Sequence, residues 1–368
     1  MFSTKSLEIA RERRGLTKKQ LAESVNISAE HLTRIIKEKH CPESELISTF
    51  SKVLGYPLEF FVSGPEDVLS EENVSFRDLS SSTARDRKRT KRAGDLAIYI
   101  NSWMINIFSL PPVNLPDLRD ENQNPEVAAS SLRSLWGIGN RPIPNLIKLL
   151  ENKGIRLMSL DEDNVAVDGF SFYVRNQPYI MINNSKSAER SRFNLAHELA
   201  HLVLHLHGGD SGTGEKDCTC NTKKVEAEAD QFASAFLMPR DDILDNLPIV
   251  RNIDHLIEAK KRWRVSVAAL ARRCYQLGIV SDWKYRALCK EISVRGYRRN
   301  EPNPTDRETS IIWNKIMMFL FKEKNKTDGL HLPVDEWDTL VQGLLKKDIN
   351  NSLHPITSDK KLSLQLVR

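Results

Sequence analysis

Cysteine is scarce in this chain: Cys41, Cys218, Cys220, Cys274 and Cys289 are five in 368 residues, an odd number far below the density of a disulfide scaffold, and they read as reduced thiols. Long hydrophobic runs are missing too. No stretch approaches the ~20 apolar residues of a membrane span, and no apolar segment of the secretory type follows the first Met. Both absences predict a cytoplasmic protein with no membrane partner. Charge of one sign is not in excess either: a net +5 is mild for this length, so any basic surface must be local. What remains is an ordinary globular composition, 40% hydrophobic and 28% charged, in a chain long enough for two or three domains.

Against that background one pentad carries chemistry. His197-Glu198-Leu-Ala-His201 lies in an apolar, helix-forming run, and residues four apart on a helix sit ~40° from eclipsed, so both imidazoles can reach one metal with Glu198 beside them. A zinc ion that performs hydrolysis needs a third protein ligand and an open fourth position. His207 stands at the offset of the last histidine of H-E-x-x-H-x-x-G-x-x-H, but Leu204 replaces the glycine that would turn the chain back. His205 lies one turn beyond His201 and reads as a helix-end or supporting histidine. The other candidates are Glu226 and Asp230, four apart on a predicted helix: one can bind the metal while the other accepts the distal N–H of a ligating histidine. Glu226 is the expected ligand, with a solvated helix carboxylate as the plain alternative. Glu228 is ~200° away from Glu226 around that helix and cannot face the same ion. Ala229, Ala233 and Leu237 continue the Glu226 stripe as a close-packing face that stops at Pro239. Cys218-Thr-Cys220 lacks zinc spacing and a second pair, and reads as an exposed polar loop.

Arg192-Phe-Asn-Leu-Ala-His-Glu-Leu-Ala-His-Leu-Val-Leu-His205, followed by Glu226-x-x-Ala-Asp-x-Phe-Ala-x-x-Phe-Leu-Met-Pro239 and preceded by Asp168-Gly-Phe-Ser and Pro178-Tyr-Ile-Met-Ile-Asn183, resembles the ImmA/IrrE family of metallopeptidases over roughly residues 130 to 300. The resemblance implies a gluzincin-like Zn2+ site with His197, His201 and Glu226 as ligands and Glu198 as catalytic base, which leaves Asp230 of the i, i+4 pair as the carboxylate that supports a ligating histidine. It also implies a protein substrate, since that family cleaves transcriptional repressors of phage, mobile-element or stress regulons. The oxyanion would need a further donor, for which Tyr179, His207 and His255 are candidates. Strand-like segments at 154–160, 170–174 and 179–182 predict a small antiparallel sheet before the first zinc helix, whose edge could align an extended substrate.

The first 64 residues follow a different logic. A short amphipathic helix ends at Gly15, Thr17 caps a second, Asn26 tolerates the left-handed turn, and Ser28 caps a third. With Leu46–Gly55 and Pro57–Phe61 this five-helix pattern resembles the Xre/lambda-repressor DNA-binding family, although the usual glutamine at the start of its second helix is Lys18 here. In that motif the recognition helix meets base edges and the preceding helix meets phosphate. Ser28, Glu30 and Thr33 are therefore the base-edge candidates, and Lys18, Lys19 and Arg34 the phosphate candidates. The alternative is a helix-turn-helix (HTH) reused for dimerisation or substrate docking.

The expected architecture is α+β and mainly helical. It comprises an HTH domain over 1–64, a linker and helical connection over 65–130, and a zinc peptidase core over 131–240. An HTH-like supporting helical region follows over 241–300, then a helical tail over 301–368. Ser70 to Arg92 reads as an exposed connection ending in the basic run Arg85–Arg92, which could add nonspecific phosphate contacts. Two functions follow: a zinc endopeptidase fused to a module that binds double-stranded DNA, alone or as a homodimer, or a transcription regulator whose zinc domain binds a partner without turnover. An intact Glu198 favours the first; fusion to a DNA-binding head favours the second.

Overall fold

Helices begin in this protein where a side chain can cap them. In the computed structural model, which describes residues 2–65, 67–69, 83–121, 124–160, 167–205, 222–322 and 329–346, Ser3 caps α1 (Thr4–Arg13) and Ser28 caps α3 (Ala29–Ile36). Between them Thr17 and Gln20 form a reciprocal capping box at α2 (Lys18–Ser24). Asn26, at φ 58°, makes the left-handed turn between α2 and α3. α4 (Ser44–Leu54) and α5 (Phe60–Ser63) close the bundle over a core of Leu7, Leu21, Leu32, Ile35, Phe50 and Phe60.

The basic run expected at the end of an exposed connection is helix instead. Thr83 and Asp86 cap each other's backbone at the start of α6 (Ala84–Ile107), which packs on α1; Ala93, Leu96, Ala97, Ile100 and Trp103 form its buried stripe. Residues 70–82 of the expected connection lie outside the described residues.

Next come α7 (Pro125–Leu135), α8 (Leu146–Asn152), β1 (Arg156–Ser159), β2 (Gly169–Val174) and β3 (Gln177–Ile182). β2 and β3 form an antiparallel hairpin from Gly169 opposite Ile182 to Val174 opposite Gln177, joined through Arg175 and Asn176, both at positive φ as a two-residue primed turn requires. The strand order is β1-β3-β2 and the sheet is mixed, not wholly antiparallel as expected. Strand propensity is local, whereas the choice of neighbour is not. α9 (Ala188–Ala200) continues into a π-turn over His201–His205, and α10 (Thr222–Leu237) packs against both α9 and α7 with Ala229 and Ala233 fully buried. α11 (Arg240–Asn246), α12 (Ile253–Trp263), α13 (Val267–Gln276) and α14 (Asp282–Val294) follow. Buried Lys260 on α12 is held by Glu189 at 3.4 Å and Glu301 at 3.2 Å, so this region supports α9 through charge pairs as well as apolar packing.

α15 (Ile311–Lys322) and α16 (Val334–Val341) bury Trp313, Ile316 and Leu340, and Trp337 of α16 meets Trp103 of α6 edge-on with ring centroids 6.1 Å apart. The chain divides into two compact units, Met1–Pro111 with Met158–Val167 and Ser310–Arg368, and Pro112–Leu157 with Asp168–Thr309. Within the first, Arg13 pairs with buried Glu336 of α16 at 2.6 Å, and the Tyr56 hydroxyl donates to the same carboxylate at 2.8 Å. Burial, then the Glu336 charge, hold the Tyr56 phenol well above its ordinary pKa. Cys41, Cys274 and Cys289 are free thiols; Cys218 and Cys220 lie outside the described residues. Among the described residues no helix is long and apolar enough to cross a membrane.

Candidate functional site

α9 and α10 bring the two halves of the histidine and carboxylate pattern together. Nε2 of His197 and Nε2 of His201 lie 3.1 Å apart, Glu226 Oε2 is 3.3 Å from the first and Glu226 Oε1 is 3.7 Å from the second. Donors about 2.0–2.2 Å from one tetrahedral ion stand roughly 3.3–3.6 Å from each other, so this donor set fits a single ion of zinc size. Among the described residues His197, His201 and Glu226 form the His/Cys/Asp/Glu group able to hold a metal. His207 lies outside the described residues.

The distal nitrogens are supported unequally. Asp230 Oδ1 stands 3.1 Å from His197 Nδ1, one turn beyond Glu226 on α10. His201 Nδ1 faces His205 Nδ1 at 3.1 Å, and His205 Nε2 in turn faces Glu228 Oε2 at 3.2 Å. For ligation through Nε2, His201 donates from Nδ1 to His205, which donates from Nε2 to Glu228. The π-turn makes this geometry: it advances each residue through a smaller angle than an α-helix does, which offsets the sideways drift of the His197, His201, His205 series. Glu228, excluded from the ion by its helix face, thus reaches the same cluster from the other side.

Burial is the largest influence on the metal-free His197 and would lower its pKa. Hydrogen bonds to Asp230 and Glu226, with the charges of Glu198 and Asp230, together outweigh it and raise His197 to about 10. At His205 burial prevails over Glu228 and lowers the pKa, which keeps the ring neutral as its bridging position requires.

Glu198 is 5% exposed, and Ser171 of β2 donates to its Oε2 at 2.7 Å. The packing of β2 on α9 makes that contact; at the start of β2 a Cβ on Gly169 would lie 2.9 Å from the Met181 carbonyl oxygen of β3, the tight neighbour there, and 3.6 Å from Glu198 Cγ, an ordinary contact. Ser171 was not foreseeable from the pentad, although its place in Asp168-Gly-Phe-Ser171 is the one local signal of it. Of the other oxyanion candidates, Tyr179 is buried and stacked on Phe172 at 4.9 Å, and His255 sits in the first turn of α12 with its backbone N–H donating to Asn252.

On the N-terminal bundle, Lys18, Lys19, Ser28, Glu30 and Arg34 are exposed and Thr33 is half-buried. Ser28 Oγ accepts from the His31 backbone N–H, and Thr33 Oγ1 donates to the Ala29 carbonyl. Lys18 and Lys19 make only loose pairs, at 3.8 Å with Glu8 and 3.9 Å with Glu23.

The fold and the site define a metallopeptidase-like domain joined to a helix-turn-helix. Comparison with protein families agrees: residues 7–61 match the helix-turn-helix model and residues 150–275 match the IrrE N-terminal-like domain of the M78 peptidases. The chain carries these two domains in that order. No curated protein matches it.

Proposed function

We propose that this protein is a zinc-dependent endopeptidase with its own DNA-binding domain, acting on a transcriptional repressor or partner regulator of a phage, mobile-element or stress regulon. One observation carries the reading: next to the three convergent ligand atoms stands a buried carboxylate, Glu198, held by Ser171. A purely structural metal site has no use for a positioned base. Zinc bound by His197, His201 and Glu226 supplies the Lewis acid that polarises the scissile carbonyl and acidifies water. Glu198 takes the proton of the attacking water and passes it to the leaving amine. Ser171 fixes the rotamer in which it does so, while Asp230 and the His205–Glu228 pair hold the imidazoles.

Glu198→Gln tests the reading, because an amide keeps the shape and leaves the ligands in place but cannot accept the proton. Cleavage of repressor-like proteins encoded near the gene should fall about 10²- to 10⁴-fold while zinc content and DNA binding persist. If the variant matches the wild type in regulatory output and no protein is cut in a Glu198-dependent way, the zinc domain is a binding or sensing module of a DNA-binding regulator.

A further inference from the structure

The first two turns of α6 lie against the corner between α1 and α2. The Arg85 guanidinium rests on Gly15, where a Cβ would come within 2.4 Å of Nε, and Gly15 itself is left-handed at φ 63°. Beside it is a cavity of about 350 Å³ lined by Arg11, Gly15, Thr17, Lys18, Arg85 and Lys88 among others. The helical start of the basic run is therefore brought to the residue, Lys18, that opens the first helix of the HTH.

The local acids do not neutralise this surface. Glu12 is already shared by Arg92 at 2.7 Å, Arg11 at 2.9 Å and, loosely, Lys88 at 3.7 Å, and Glu8 is taken by Arg11. Lys88 and Lys18 remain 63% and 48% exposed. Among the described residues Arg85 has no acidic partner and is exposed. Arg85 and Lys88, three apart on α6 and so on one face of it, line the same cavity as Lys18, whereas Arg87 stands ~200° around the helix from Arg85. Three cations whose acid neighbours are loose or already shared thus form one surface at the end of the HTH that meets the DNA backbone.

We propose that Arg85 and Lys88 form a second phosphate clamp, engaging the duplex backbone beside the segment read by the HTH. The proposal rests on the HTH of this chain binding DNA. Continuity with Lys18 makes duplex DNA the occupant, in preference to an acidic peptide. Arg85 plays two parts: its guanidinium rests on Gly15, and the residue stays exposed to solvent. The contacts are sequence-independent, so they add affinity and salt dependence but no base preference.

The test compares the full-length wild type with R85A/K88A and with the charge-keeping R85K, on a random-sequence duplex and on a duplex selected by the protein. Each phosphate contact adds about 0.9 to the slope of log K against log salt, so the double variant should lose roughly 1.8 of slope. Between about 50 and 200 mM salt the wild type should then lose roughly 12-fold more affinity than the double variant. R85K should keep the wild-type slope, and the ratio of affinities for the two duplexes should be the same in all three proteins. An unchanged slope in the double variant overturns the clamp, as does an equal loss of slope in R85K, which would assign the effect to packing on Gly15. Lys18→Ala separates this failure from that of the parent reading, since it should remove about 0.9 of slope with or without the clamp. A wild type that binds neither duplex removes both.

Discussion

Removing Glu226 and removing Glu228 should have unequal effects on the metal, although the two carboxylates are two residues apart on α10. Glu226 offers oxygens at 3.3 and 3.7 Å from the two Nε2 atoms, whereas Glu228 reaches the site only through His205. Zinc sites with four ligands are worth about 10–16 kcal/mol in all, so one ligand accounts for about 2.5–4 kcal/mol, or roughly 10²- to 10³-fold in affinity. An outer partner such as Glu228 is worth about 10- to 100-fold. Purified wild type should carry about one zinc. After dialysis, Glu226→Ala and His201→Ala should lose most of it while Glu228→Ala keeps it, and titration against a fluorescent zinc chelator should order the affinities as wild type, Glu228→Ala, Glu226→Ala. If Glu228→Ala empties the site and Glu226→Ala leaves it full, the assignment of helix faces is wrong.

Three further outcomes are expected. On DNA, Lys18→Ala should weaken all duplexes alike, whereas Thr33 substitutions should change preference between sequences; Ser28→Ala is a less clean probe because it also removes the α3 cap, worth about 1 kcal/mol. A selection from random duplexes that enriches no site would favour an HTH reused for protein docking. Arg13→Ala strands the Glu336 carboxylate, whose side chain is 3% exposed, and should destabilise the first unit by about 3–5 kcal/mol in urea unfolding; a loss below about 1 kcal/mol would show that Arg14 and Tyr56 suffice. In the metal-free protein His197 has a folded pKa raised from 6.5 to about 10, so its charge stabilises fully below 6.5 and that contribution is lost as pH rises toward 10. Melts with chelator present should fall across this window in the wild type and not in His197→Ala. Equal falls in both would place the titration elsewhere.

Features governed by neighbours along the chain were legible in advance. The five N-terminal helices, the left-handed Asn26, the caps at Thr17 and Ser28 and the end of α10 before Pro239 all depend on backbone conformations and hydrogen bonds within a few residues. The pairing of α9 with α10 was readable for a similar reason: Glu226, Ala229 and Ala233 fall on one helical stripe. The basic run shows where such reading goes astray. Its charge suggested a solvated connection, yet Thr83 and Asp86 cap it, an apolar stripe begins at Ala93, and the helix packs on α1.

By itself the sequence determined which side chains could serve a metal and in what order the domains come, because helical periodicity and capping are local. Only the tertiary structure decided how those side chains are held: Ser171 meets Glu198 from a strand 27 residues away, Glu228 reaches His201 through a π-turn, and β1 lies beside β3 and not beside β2. These contacts depend on how β2 packs on α9 and on how the turn after His201 winds. Both are set by the packing of elements distant in sequence, which no local pattern encodes.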